Sequence, residues 1–234
     1  MLVTEQDILA FQTCPRKHAF TQSSKYKNTP SVASLQQFMA IWMWTYQLIH
    51  GSKCTMRALK EKWATTVTKA NLDATDSNAA LDPIGETIAT GFPLVRELYE
   101  RYKSYPHKPA ATMMPMRHIV PHLGAVVLHA QVITLNDLGN VVLLNYSEDS
   151  YTRDTTTNLV HQLRLATAHE QYSAVQLLNT RVTYKLPITY LRISELDSTQ
   201  LASNIKHIML AIKKGIDYPI LNCRLNCPYK TECL

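Results

Sequence analysis

The final dozen residues hold three of the chain's five cysteines: in NCRLNCPYKTECL they are Cys223, Cys227 and Cys233. Three thiols so close in sequence constrain any fold, because they share a metal centre or are buried separately. Thiolates are soft ligands that select zinc or iron–sulfur clusters. A fourth ligand is available at the other end of the chain, Cys14 in ILAFQTCPRKHAF. Joining the two ends through one centre closes a very long loop and contributes to folding stability. An odd total of five disfavours a closed disulfide framework, and clustered thiols in a reducing compartment are metal ligands more often than disulfides. Cys54 has no cysteine near it in sequence and reads as a small buried hydrophobe.

At 234 residues the chain suffices for one well-buried core. The longest apolar run, FMAIWMWTYQLI, is too short to span a bilayer and reads as a buried helix. The first residues, MLVTEQDILAF, lack the basic start and small-residue cleavage site of a signal peptide, so a cytoplasmic protein without a membrane partner is expected. A formal charge of +6 favours an anionic partner such as nucleic acid.

Along the chain the pattern is helical first. Thr4 is an N-cap with Asp7 in the capping-box position. A second helix is expected from about Ser34 to His50, with Gly51 as its C-cap, and a third from about Thr55 to Leu72. A fourth opens at Asp82-Pro83 and should kink or split at Gly91-Phe92-Pro93. Two β-type runs then flank the turn residues Asn136 to Asn140 and predict a hairpin. TTTNLVHQLRLATAHEQYSAVQLL reads as helix, RVTYKLPITYLRI as strand with an edge or bulge at Pro187, and Ser198 to Lys214 as a last helix stopped by Gly215. This order predicts an α/β (α+β) fold with a central mixed β-sheet flanked by helices. Residues 1–110 form a helical region carrying Cys14, 111–195 the sheet core, and 196–234 the last helix and cysteine tail, together one domain.

A helix bearing F-x-x-C-P-R-K, a sheet core, and a tail ending C-P-Y-K-x-x-C resemble the iron–sulfur branch of the PD-(D/E)XK nucleases. That branch includes RecB- and AddB-type nuclease domains and CRISPR adaptation nucleases. The resemblance implies a restriction-endonuclease-like core whose termini are clipped together by a 4Fe-4S cluster on Cys14, Cys223, Cys227 and Cys233, beside a channel for single-stranded DNA. Arg224, Leu225 and Asn226 make three residues between the first two tail cysteines where the family usually has two. Zinc is the alternative metal.

The family's hydrolytic chemistry needs an Asp, a second acid and a Lys around a hard cation. Its G-x-x-D and D-Y-K-T strands correspond here to LHAQVITL and VVLLNYSED. With Ala130 at the glycine position, Ile133 stands at the first acid and Asn145-Tyr146-Ser147 at D-Y-K. No Asp or Glu occurs from Met113 through Asn136, so a shifted register does not restore the site. The family's helical His in G-x-x-x-H is matched by Ala40 and Trp44, and its Q-x-x-x-Y keeps Gln162 but has Ala166 for Tyr. Trp44, Ile133, Asn145, Ser147 and Gln162 therefore mark a degenerate catalytic site, and no catalytic residue is assigned. Glu148 and Asp149 are the nearest carboxylates, expected to cap the hairpin or face solvent. His118 and His122 stand four apart in a strand-like segment that also precedes His129, and packing or surface roles are expected for all three.

The basic groups near the cysteines are candidate nucleic-acid contacts: Arg16, Lys17, Lys25, Lys27 and Lys230, with Tyr229 as a stacking ring and Phe20 and Tyr26 as further aromatics. The expectation is a catalytically inactive, nuclease-like protein that binds nucleic acid, above all single-stranded DNA. It would alternatively scaffold a helicase or polymerase in phage or prokaryotic replication, recombination or defence. An active metal-dependent exonuclease with migrated ligands and a protein-only docking subunit are the other readings.

Overall fold

The computed structural model describes residues 1–22, 31–75, 84–148, 158–182 and 188–217. After a short strand β1 (Leu2–Thr4), helix α1 (Glu5–Thr13) starts on the expected capping box: Thr4 accepts from the Asp7 amide while the Asp7 carboxylate accepts from Thr4. The helix stops at Cys14, whose backbone is extended because Pro15 follows, and α2 (Pro15–Gln22) begins at once. The expected single helical segment is thus two helices that meet at the cysteine.

Helix α3 (Val32–His50) starts on Ser31 and ends on Gly51, whose φ of 68° is the left-handed conformation a glycine takes without strain. Helices α4 (Met56–Thr75) and α5 (Ile84–Ser104) follow. The expected break at Gly91-Phe92-Pro93 does not occur, and α5 runs through Pro93. Neighbouring side chains supply hydrogen-bond donors around the proline: Gln36 Nε2 donates to Gly91 O at 3.0 Å, and Trp63 Nε1 to Ile88 O at 3.2 Å. Gly91 also lets the Trp63 ring approach, since an added Cβ would stand 2.6 Å from one ring carbon. Trp63 is fully buried. Gly91→Ala should therefore cost about 1–3 kcal/mol, measured by urea denaturation, and unchanged stability would show that the α4–α5 contact is looser than described.

The sheet is mixed. The antiparallel strands β2 (Lys108–Val120) and β3 (Gly124–Leu135) pair along their whole length. They were expected as a single run, and His122, placed in that run, instead lies in the turn with φ of 64°. His118 is on β2 with its Nδ1 3.3 Å from Thr167 Oγ1, so the two histidines share no strand face. β4 (Val141–Ser147) completes the predicted hairpin. Asn136 Oδ1 accepts from the amides of Leu138 and Asn140 in its turn, and Gly139 takes φ of 76°.

Helix α6 (Leu159–Tyr172), capped by Asn158, crosses over to β5 (Ala174–Arg181), which is parallel to β4, and β6 (Thr189–Arg192) closes that edge. The helix was expected to continue through AVQLL, but Ser173 turns left-handed and ends it. Burial of β5 between β4 and β6 overrides the helix propensity of Ala, Gln and Leu. A turn of 3₁₀ helix and α7 (Ser198–Lys213) follow. Pro187 lies outside the described residues.

The result is an α/β fold whose mixed sheet separates two apolar clusters. One joins α3, α4 and α5 to Val132, Val142, Leu144 and Tyr146; it holds Trp44, Trp63 and the buried Cys54. The other joins α1, α6 and α7 to β2, β3 and β5. No helix among the described residues is long and apolar enough to cross a membrane.

One topological feature positions the site. β1 pairs in parallel with Ala125–Val127 of β3, and β4 pairs antiparallel with Val132–Leu135 of the same strand. Because β2 covers the other edge of β3 at both stretches, β1 and β4 share one edge and run toward each other. β4 continues past its last pairing with β3 to Ser147, where its main-chain ladder is with β5.

Candidate functional site

Where β1 and β4 end, main-chain pairing is replaced by side chains. Gln131 on β3 uses its amide as a surrogate peptide: Oε1 accepts from Tyr146 N at 2.8 Å, and Nε2 donates to Tyr146 O at 3.1 Å. Gln37 of α3 donates to the same carbonyl. The two-residue alternation of β3 also fails here, since Ala130 and Ile133 belong to one apolar cluster and Val132 to the other. On the paired strand Met113 has φ of 51°, a conformation disfavoured for a side-chain-bearing residue. On the β1 side, Glu5 Oε2 accepts from the amide of His129 at 3.3 Å.

Arg164, one turn into α6, ties these ends together. Its Nε and Nη2 lie 3.1 and 2.9 Å from Glu5 Oε2, and its Nη1 donates to Asn145 Oδ1. Asn145 in turn donates to Asn179 Oδ1 on β5 at 2.7 Å. Arg164 and Asn145 are buried and Glu5 is half-buried, so the charge pair is largely withdrawn from solvent. A buried guanidinium is tolerated only when paired and hydrogen-bonded, and here its donors reach a carboxylate and an amide oxygen.

Beside this network lies a cleft of about 470 Å³, lined by Leu9, Gln37, Ser147, Glu148, Val160 and His161, among others. Glu148 is exposed at its mouth. Desolvation raises its carboxyl above the ordinary range, against a bond from Ser31 Oγ at 3.1 Å that lowers it. His161 is buried, and among the described residues its Nδ1 has no hydrogen-bond partner. Burial, together with the charges of Arg164 and Arg181, pushes its imidazole down to about 3, so it is neutral at physiological pH.

Of the residues aligned with the family's chemistry, Asn145 and Ser147 reach this site, while Ile133 packs in the apolar cluster opposite Leu143. Trp44 is core, its Nε1 donating to Tyr146 Oη at 2.8 Å. Gln162 lines a separate polar groove with Gln12, Asn204 and His207. Glu148 faces solvent as expected and bonds Ser31; Asp149 lies outside the described residues. Among the described residues no three His, Cys, Asp or Glu side chains stand together as a metal site.

Cys14 is buried at the junction of α1 and α2. Cys223, Cys227 and Cys233 lie outside the described residues, as do Lys25, Tyr26, Lys27, Tyr229 and Lys230. Lys17 is on α2. Arg16, expected to contact phosphate, directs its Nε to Asp217 O at 3.1 Å. His18, the next base but one, is buried against the Phe11 ring and lies 3.6 Å from Asp7.

Glu5, Arg164, Gln131 and His161 were not singled out from the sequence. Gln131 carried a usable signal: a single amide inside the apolar run VLHAQVITL needs a partner if the strand is buried. Arg164 and His161 share a helix face at i, i+3, but nothing local to them points to Glu5, which precedes Arg164 by 159 positions.

No family model matches the chain, and no curated protein matches it. Among solved structures, the crystal structure of SSO0001 is similar over 97% of each chain at 12% identity, with a TM-score of 0.36. A likeness this distant carries no argument about function.

Proposed function

We propose that this chain is a nuclease-like protein of the iron–sulfur PD-(D/E)XK type, with a restriction-endonuclease-like core, that binds single-stranded nucleic acid without cutting it. The observation that carries the reading is the guanidinium of Arg164 held between Asn145 and Glu5. Asn145 is the position aligned with the family's second metal-binding acid. Its amide oxygen accepts from an internal cation, where a carboxylate would bind a divalent ion.

The cluster half of the proposal rests on the cysteine set and on one contact. Arg16, two residues after Cys14, holds the carbonyl of Asp217, six residues before Cys223. Six residues span at most about 20 Å, so the tail begins within reach of Cys14. Cys14, Cys223, Cys227 and Cys233 would hold a 4Fe-4S cluster, with zinc as the alternative, and the bound centre would staple the two ends. Basic groups near it, Lys17, Lys25, Lys27 and Lys230, would then contact phosphates beside Tyr229. In a larger assembly with a helicase or polymerase, such a subunit would hold a strand during replication, recombination or defence.

Anaerobically purified protein should be brown from thiolate-to-iron absorption, and Cys14→Ser should be colourless. It should bind single-stranded DNA with an affinity that falls steeply with salt and leave the DNA intact in magnesium or manganese. Colourless protein containing zinc would replace the cluster, and absence of salt-sensitive binding would refute the binding role. One observation favours a second reading: Glu5 and Glu148 line the same cleft. Manganese-dependent cleavage abolished by Glu148→Ala would select an active exonuclease.

A further inference from the structure

The cleft between the ends of β1 and β4 has an inventory that does not suit a phosphate. Its buried cation, Arg164, is committed to Glu5 and Asn145. Glu148 contributes a second carboxylate, bonded through Oε2 to Ser31. An anion would therefore meet two carboxylates and a guanidinium already neutralised. His161 lines the same cleft, and its buried Nδ1 has no partner among the described residues, a costly state that a ligand hydrogen bond would relieve. Neutral imidazole offers a donor or an acceptor at that atom according to tautomer. Leu9 and Val160 add apolar wall, and the volume falls within the range of small-molecule sites.

These features share one complement: a neutral, flat group carrying N–H donors beside ring nitrogens. We propose that the cleft takes up one unpaired amino-bearing nucleobase, cytosine or adenine, from the bound strand. Its exocyclic amine donates to Glu148, and a ring nitrogen pairs with His161 Nδ1. Carboxylates accept from exocyclic amines in just this way in nucleic-acid complexes. Thymine has no such amine. This inference rests on the strand-binding reading above and makes the former hydrolytic cleft a base-reading one.

The test uses the full anaerobic protein with oligonucleotides about twelve nucleotides long, made of dC, dA, dT or abasic units, in fluorescence anisotropy at fixed salt. Binding of dC and dA should exceed that of dT and the abasic strand by about tenfold. Glu148→Met, a change at an exposed position, should erase that preference, so that dC, dA and dT bind alike. The ¹⁵N resonance of His161 Nδ1 should move with dC and stay fixed with dT. Equal binding of all strands, or a preference that survives Glu148→Met, overturns the base site while leaving strand binding intact. Failure to bind any strand overturns both. Competition by N-acetylarginine amide but not by cytidine would assign the cleft to a guanidinium of a protein partner and overturn the nucleobase.

Discussion

Replacing Arg164 with Met should cost about 3–5 kcal/mol, because removing one member of a buried ion pair leaves the other uncompensated. In this molecule Glu5 would lose its guanidinium, and the Asn145 oxygen would lose a donor in a buried setting. Glu5→Gln alone should also destabilise. The pair of changes together should cost clearly less than their sum, since the second removes the charge that the first stranded. A double-mutant cycle by urea denaturation reads this directly. Additive losses would mean that the three side chains are neighbours without being coupled, and the proposed replacement of a divalent ion by an internal cation would lose its support.

The second large effect is a dependence of stability on acid. In the folded protein the His161 imidazole is pushed down to about 3 from an ordinary 6.5. Above 6.5 it is neutral whether the chain is folded or not, and its contribution is constant. As pH falls below 6.5 the unfolded chain takes up a proton that the folded chain refuses, so stability declines until the folded group titrates near 3. The full loss is on the order of 3–5 kcal/mol. Glu148 acts in the opposite sense: its raised carboxyl keeps a proton longer in the folded state, so its own contribution grows more favourable as pH falls through the carboxylate range. Stability curves for the native sequence and His161→Leu separate the two, because only the histidine contribution vanishes in the variant. An identical decline in both, or an imidazole that titrates near its ordinary value by NMR, would contradict the burial described here.

The sequence disclosed the elements whose signals are local. The Thr4–Asp7 box, the glycine after His50 and the asparagine turn at 136–140 each act within a few residues, and each lies where expected. What escaped was decided by tertiary burial. The run AVQLL becomes strand because it is enclosed by β4 and β6, and α5 passes its proline packed against α3 and α4, whose Gln36 and Trp63 bond carbonyls beside it. The candidate site divides in the same way. That Ile133 and Asn145 bring no charge is visible in the letters alone. That Arg164 joins Glu5 to Asn145 depends on residues 5, 145 and 164 meeting across the sheet.

The head-to-head meeting of β1 and β4 on one strand has a bearing on how such a site changes over evolutionary time. Around this junction the scaffold is secured by interchangeable side groups as well as by an unbroken backbone ladder. A lineage can trade acids and an inorganic ion for an amide and a guanidinium there without re-threading the chain. On the proposed reading, loss of a reaction and preservation of architecture are compatible at such a place.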